Sequence, residues 1–234
     1  MTAIQARQEL KKFSRPFFVP SLLKFYRTAK GEYGEGDQFY GVRVPETRSV
    51  AKKFSHLELK QVTNLLQSKI HEERLLALII LVNQYKKADE IKKKAIYSLY
   101  MKNLKYVNNW NLVDVSAHAI VGAYLFEKAR TPLFKLARSS QLWKKRVAMI
   151  STFYFIRQKD FKDSLKIAEI LLHDEHDLIH KAVGWMLREI GHRDLKTEEA
   201  FLKKHYRFMP RTALRYAIEK LPLTQRQKYL KGEI

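Results

Sequence analysis

The sequence predicts an all-α protein: a single α-α superhelix of HEAT-like helical repeats with a basic concave surface, one domain over residues 1–234. Three observations carry this. Helix breakers are scarce, with 8 glycines and 6 prolines in 234 residues, against the roughly 12 % that the two usually make up. Nearly every segment repeats apolar residues at i, i+3, i+4 and i+7 with Lys, Arg and Glu between, the period of an amphipathic helix. Finally, one short pattern recurs along the chain at helix-pair intervals.

In chain order the apolar stripes predict helices over Thr2–Phe13, Val19–Tyr26, Pro45–Phe54, Glu58–Gln67, Ile70–Ala88, Lys92–Leu104 and Leu112–Phe126. They continue over Thr131–Ala137, Leu142–Arg157, Phe161–Leu172, Ile179–Glu189, Glu198–Tyr206, Arg211–Leu221 and Thr224–Lys231. The glycine-rich stretch Gly31-Glu-Tyr-Gly-Glu-Gly36 is a loop; it lacks the Gly-Lys-Ser/Thr ending that lets a P-loop cradle phosphates. No Ser- or Pro-rich linker divides the chain, and the length suits one large domain. The longest apolar run, Leu75 to Val82, is eight residues, where a membrane-spanning helix needs about 20. Met1 to Phe13 carries charges throughout and shows no signal-peptide core. Cysteine is absent, which excludes disulfides, thiol nucleophiles and Cys-ligated metals and fits a reducing cytoplasm.

The recurring pattern is a charged residue that opens an apolar helical stretch with a small residue close behind. It appears at Arg74-Leu-Leu-Ala-Leu, Asp114-Val-Ser-Ala-His, Arg146-Val-Ala-Met-Ile, Lys181-Ala-Val-Gly-Trp and Arg215-Tyr-Ala-Ile-Glu, at intervals of 40, 32, 35 and 34 residues. Such spacing marks an α-solenoid; the tetratricopeptide signature is missing, so HEAT-like is the better description. Four of the five slots hold a base. Lined up on one surface they would form a phosphate track.

Charge points the same way. There are 45 Lys and Arg against 24 Asp and Glu, a net charge of +21. A folded domain with that charge seeks a polyanion, and nucleic acid is the default partner. A membrane-surface protein and a merely basic soluble one are the alternatives.

The fifth slot, Asp114, is a carboxylate among cations, where it is well placed to stay ionised. It reads either as a functional group or as a helix-terminus acid or ion-pair partner of Arg146. Trp110 stands four residues before it, so one helical turn puts both on one face. Trp185 stands four residues after Lys181 and faces with that slot. An indole pair flanking a carboxylate suits a nucleotide, the rings meeting sugar or base and the carboxylate meeting positive charge. Trp at helical spacing is also ordinary core material, and Trp143 is read as core. His118, four residues past Asp114, could form a dyad with it but is expected to pack within its helix pair. His173, His176 and His180 would share a face only on an unbroken helix; His173-Asp-Glu-His-Asp177 reads as a junction, so no metal site is expected.

These residues bring the chain close to a known family. Tyr40-Gly-Val-Arg-Val-Pro45 followed by Glu-Thr-Arg48, then Trp110-Asn-Leu-Val-Asp114, Leu142-Trp-Lys-Lys-Arg146 and Lys181-Ala-Val-Gly-Trp-Met-Leu-Arg-Glu189 resemble, in order, the motifs of AlkD-like DNA alkylation repair glycosylases, over roughly Phe25 to Leu221. The resemblance implies a HEAT-like array that grips duplex DNA in a basic groove and hydrolyses the N-glycosidic bond of cationic N3- and N7-alkylated purines. It implies Asp114 as the catalytic carboxylate, Trp110 and Trp185 as sugar-facing indoles, Arg146 as a groove arginine and Tyr26 as the active-site tyrosine. Arg43, Arg74, Lys181, Arg188 and Arg215 complete the expected DNA-contacting set. The chain departs from the family at Asn109, where a second Trp is frequent, and at Arg43, where some members carry Gln. The enzyme so implied is monofunctional, without lyase activity, cofactor or metal, acting as a cytoplasmic monomer on double-stranded DNA with no obligate protein partner. Two rival readings are a catalytically silent DNA-binding relative and a HEAT protein-interaction scaffold.

Binding governed by phosphate neutralisation should be salt-sensitive and indifferent to sequence. Duplex affinity is expected to fall with a log–log slope of about −0.9 per phosphate neutralised; titration of a fluorescent duplex with salt measures it, and a flat response would remove the nucleic-acid reading.

Overall fold

The computed structural model describes all residues, Met1–Ile234. The protein is all-α, with one isolated bridge between Gln38 and Ile70 in place of any strand, and no helix is long and apolar enough to cross a membrane. The chain divides into two compact units, Met1–Tyr124 and Leu125–Ile234.

The first unit contains α1 (Ala3–Lys11), α2 (Val19–Phe25), α3 (Val44–Lys53), α4 (Leu59–Leu66), α5 (His71–Tyr85), α6 (Glu90–Lys102) and α7 (Trp110–Ala117), which runs into a π-helical stretch, His118–Gly122; the division falls within the next short helix, α8 (Ala123–Leu125). Its core is α5, against which α3, α4, α6 and α7 pack. Every residue of α5 except Asn83 is buried. That explains the long apolar run: a helix covered on all sides has no polar face to keep.

The second unit comprises α9 (Thr131–Ala137), α10 (Leu142–Arg157), α11 (Lys162–Leu171), α12 (Asp177–Gly191), α13 (Leu195–His205), α14 (Arg211–Ala217) and α15 (Leu223–Lys231). Here α10 packs on α9, α11 and α12, and α12 packs on α13 and α14. The buried face of α12 is Ile179, Ala182, Val183, Met186, Leu187 and Ile190, at helical spacing. Gly184 lets α14 lie close: a Cβ there would stand 2.3 Å from the carbonyl oxygen of Ala213.

The helices follow the sequence pattern closely, and α9 and α10 match its bounds. The five recurring slots fall on α5, α7, α10, α12 and α14, with α6, α9, α11 and α13 between them, as paired repeats require. Three differences stand out. The expected helix over Leu112–Phe126 changes winding at His118, so α7, the π stretch and α8 replace one α-helix. The helix opening at Arg211 tightens to a 3₁₀ turn at Ile218–Lys220 before Pro222, whose ring disfavours helical geometry in the residue ahead of it. A further 3₁₀ turn, Pro16–Phe18, starts the chain into α2.

The first four residues of α5 hold the loop that precedes α3. Glu72 is 3 % exposed, and its carboxylate accepts backbone N–H groups of Tyr40 (3.2 Å), Gly41 (2.9 Å) and Val42 (3.1 Å). Glu73 accepts the Tyr40 hydroxyl at 2.6 Å and Arg7 Nε at 2.7 Å. Gly41 has φ of 82°, and a Cβ there would come within 2.1 Å of the Arg15 carbonyl oxygen, so glycine is required on both counts.

Replacing Glu72 by Ala would orphan those three buried donors. A loss of about 3 kcal/mol is expected, read from urea unfolding. In the second unit Glu198, 2 % exposed with no partner for Oε1, is pushed up to about 8 by burial and then by the Glu199 charge. The unfolded chain releases this proton near 4.5 and the folded one near 8. Wild-type stability relative to Glu198→Gln should therefore fall as pH rises through that window, by up to about 1.4 kcal/mol per pH unit. Urea unfolding of both proteins at pH 5 and pH 8 checks this; a constant difference would contradict it.

Candidate functional site

In the first unit the site is built on the start of α7. Asn109 is the N-cap: fully buried, it accepts the Trp110 backbone N–H on its own Oδ1 at 2.8 Å. The residue that departs from the family pattern thus has a structural task, satisfying an orphan donor of the helix. Trp110 and Asp114 follow one turn apart on α7, both half-buried. The charge of Asp114 reaches the buried phenol of Tyr100 on α6: burial first, then that carboxylate, hold the phenol in its neutral form, against the hydrogen bond with Ser116. The Tyr100 hydroxyl lies 3.0 Å from Ser116 Oγ, which fixes α6 against α7 beneath the carboxylate.

Trp110 is held by aromatic rings. Tyr26, the C-cap of α2 and 8 % exposed, stacks on it with centroids 5.7 Å apart at 26°, and its ring also lies 5.2 Å from that of Phe39 at 14°. Phe25 meets Trp110 edge-on at 5.6 Å and Tyr26 at 5.0 Å, and remains 60 % exposed. Such edge and offset geometries suit ring quadrupoles and limit how an indole can tilt. The fold thus brings Tyr26 against Trp110, a contact that the sequence does not display.

Below Tyr26 lies a polar cluster. Asn111 Nδ2 is 3.2 Å from the Tyr26 hydroxyl and 2.9 Å from His71 Nε2. His71 Nδ1 is 2.9 Å from Asp37 Oδ2, and Arg74 Nη2 donates to Asp37 Oδ1 at 2.6 Å. Burial opposes ionisation of Asp37, but the His71 hydrogen bond and the Arg74 charge together outweigh it and hold its carboxyl below the usual range. Burial lowers His71 and keeps it neutral. Tyr26 is pushed up to about 12 by burial, with the Glu72 charge adding to it.

Arg74 corrects one expectation. The recurring slot puts it on a phosphate track, but it is 3 % exposed and its guanidinium binds Asp37 and the Ser68 carbonyl. The apolar environment of α5 makes a buried ion pair the only tolerable state for that charge. Arg43 is exposed and caps α3, its guanidinium 2.8 Å from Glu46. Asp37, His71 and Asn111 were missed: they are 34 and 40 residues apart along the chain, and only the fold joins them.

In the second unit, Arg146 on α10 is 5 % exposed and donates to the Leu178 carbonyl. Lys181 pairs with Asp177 at 2.6 Å, and Arg188 pairs with Glu219. Arg215 on α14 is exposed. Trp185 is half-buried, donates its Nε1–H to Glu189 at 3.2 Å and lies 5.9 Å from the Phe153 ring. Trp143 is half-buried on α10. The histidines divide as the junction implies: His173 follows α11, His176 caps α12, and His180 binds the Asp174 carbonyl. No group of three His, Cys, Asp or Glu is placed to hold a metal ion.

Comparison with curated protein sequences finds no match. A solved structure described as a predicted DNA alkylation repair enzyme from Enterococcus faecalis shares the fold, with a TM-score of 0.68 at 15 % identity over 90 % of this chain and 97 % of that one. The family model for "DNA alkylation repair enzyme" matches residues 6–221. With that match spanning nearly the whole chain, the protein belongs to the DNA alkylation repair enzyme family.

Proposed function

We propose that this protein is a monofunctional DNA glycosylase that removes cationic N3- and N7-alkylated purines from duplex DNA. The observation that carries the reading is Asp114 one helical turn from a Trp110 locked between Tyr26 and Phe25. A fixed indole gives a deoxyribose a surface to rest on, and the carboxylate beside it faces whatever positive charge develops there.

The chemistry asks little more. An N3- or N7-alkylated purine already carries positive charge. When the bond from C1′ to the ring nitrogen breaks, its electron pair goes to the base, which leaves neutral without a general acid. The sugar becomes oxocarbenium-like; Asp114 stabilises it and orients a water, which bonds to C1′ and gives up a proton. In this reading Trp185 is an indole presented to the DNA. Arg146, Lys181, Arg188 and Arg215 act with Arg43 on the DNA, those in ion pairs exchanging a carboxylate for a phosphate. The gripped backbone, in place of a tight base pocket, admits bulky adducts. No lysine stands out as a Schiff-base nucleophile, so the product is an abasic site with both strands intact.

Asp114→Asn separates the roles. Neutralising the carboxylate relieves ground-state repulsion from phosphates but removes the stabiliser that acts only in the transition state. Base release should slow by about 10²–10³ while duplex affinity stays equal or rises slightly. Single-turnover release of methylpurines, with binding measured in parallel, decides it. An unchanged rate would make Asp114 a structural acid, and binding without release by the wild type would favour a silent DNA-binding relative.

A further inference from the structure

The Asp37–His71–Asn111 cluster has a direction. Asp37 is a carboxylate and can only accept, so the proton on the facing nitrogen, His71 Nδ1, belongs to the histidine. Arg74 already balances the Asp37 charge at 2.6 Å, and His71 is enclosed, 1 % exposed. Burial outweighs the pull of Asp37 and Glu72 and keeps the ring neutral. A neutral ring protonated at Nδ1 presents a bare Nε2, which must accept from Asn111 Nδ2 at 2.9 Å. The second N–H of the same amide then points at the Tyr26 oxygen, 3.2 Å away. The amide oxygen of Asn111 is left buried without a partner, which is the leftover this orientation entails. The Tyr26 oxygen has accepted, so its own proton must go elsewhere: of the rings packed on it, Phe25, Phe39 and Trp110 offer no acceptor, and Nε2 of His71 is already taken by Asn111.

We propose that Asp37, His71 and Asn111 are positioning residues that make Tyr26 a one-way hydrogen-bond donor to an acceptor-only, anionic group of the bound duplex, a phosphodiester oxygen beside Trp110. The relay works by orientation and moves no proton along its length. It explains why a histidine and an aspartate are buried under an aromatic platform: turned the other way, the Asn111 amide would draw the tyrosine proton inward and leave the hydroxyl unable to donate to DNA. The inference rests on the duplex-DNA reading above.

Two measurements test it. In the full-length 15N-labelled protein without DNA, long-range proton–nitrogen correlation, assigned with His71→Gln, should show His71 neutral with its proton on Nδ1; an imidazolium or a proton on Nε2 overturns the relay. This uses the wild type and holds whether or not a variant folds. Then Asn111→Asp replaces the donating amide by an acceptor, so the Tyr26 proton turns inward and His71 gains one. On an undamaged fluorescent duplex, Tyr26→Phe should weaken binding roughly tenfold, the worth of one hydrogen bond to an anion. Asn111→Asp should weaken it by the same factor, and the double variant no further. Full affinity in Asn111→Asp, or additive losses in the double variant, overturns the proposal. Failure of the DNA reading itself shows separately, as wild-type protein that does not bind duplex at all.

Discussion

The structure around the candidate site depends on four consecutive buried polar residues, His71-Glu-Glu-Arg74, at the start of α5. A helix that enters a core amino-end first must satisfy its leading N–H groups and any charge it takes inside. Here the charges face outward from the helix to a neighbouring loop: Arg74 and His71 to Asp37, Glu72 to the backbone of Tyr40 to Val42, and Glu73 to the Tyr40 hydroxyl. The loop in return sets Phe39 against Tyr26, and Tyr26 against Trp110. The posture of the indole is thus fixed from beneath by electrostatics as well as by packing.

This also revises how the excess of positive charge acts. Arg74 is enclosed, Arg146 is bonded to a backbone carbonyl, and Lys181 and Arg188 face acidic partners. A net charge of +21 still surrounds the protein with an attractive field for a polyanion, because field strength counts every unbalanced base wherever it sits. Solvent exposure is a separate matter: Arg43 and Lys181 reach solvent although each pairs with a carboxylate, and Arg215 is exposed.

The helices were legible because amphipathic spacing survives in each of them, and α9 and α10 coincide with their apolar stripes. What could not be read was winding. Nothing in His118-Ala-Ile-Val-Gly122 distinguishes a π stretch from an α-helix, since both place small and apolar residues inside. At the site, Trp110 and Asp114 were visible because four residues make one turn, a relation that a sequence displays directly. The recurring slot pattern overreached at Arg74: it found the right helix, but a period locates a side chain along a repeat and says nothing of whether that face meets water. Asp37, His71 and Asn111 belong to three separate elements, and no local period connects them.

The π stretch that follows Asp114 has a consequence of its own. Wider winding spends one more residue per turn than an α-helix, so the side chains beyond His118 are rotated out of step with those before it. The short helix Ala123–Leu125 therefore aims its apolar residues by its own phase, and Trp110 to Ala117 by another. The offset is set by the backbone, like two keys cut at different angles on one shaft: Trp110 and Asp114 keep one bearing, and the buried Leu125 takes another.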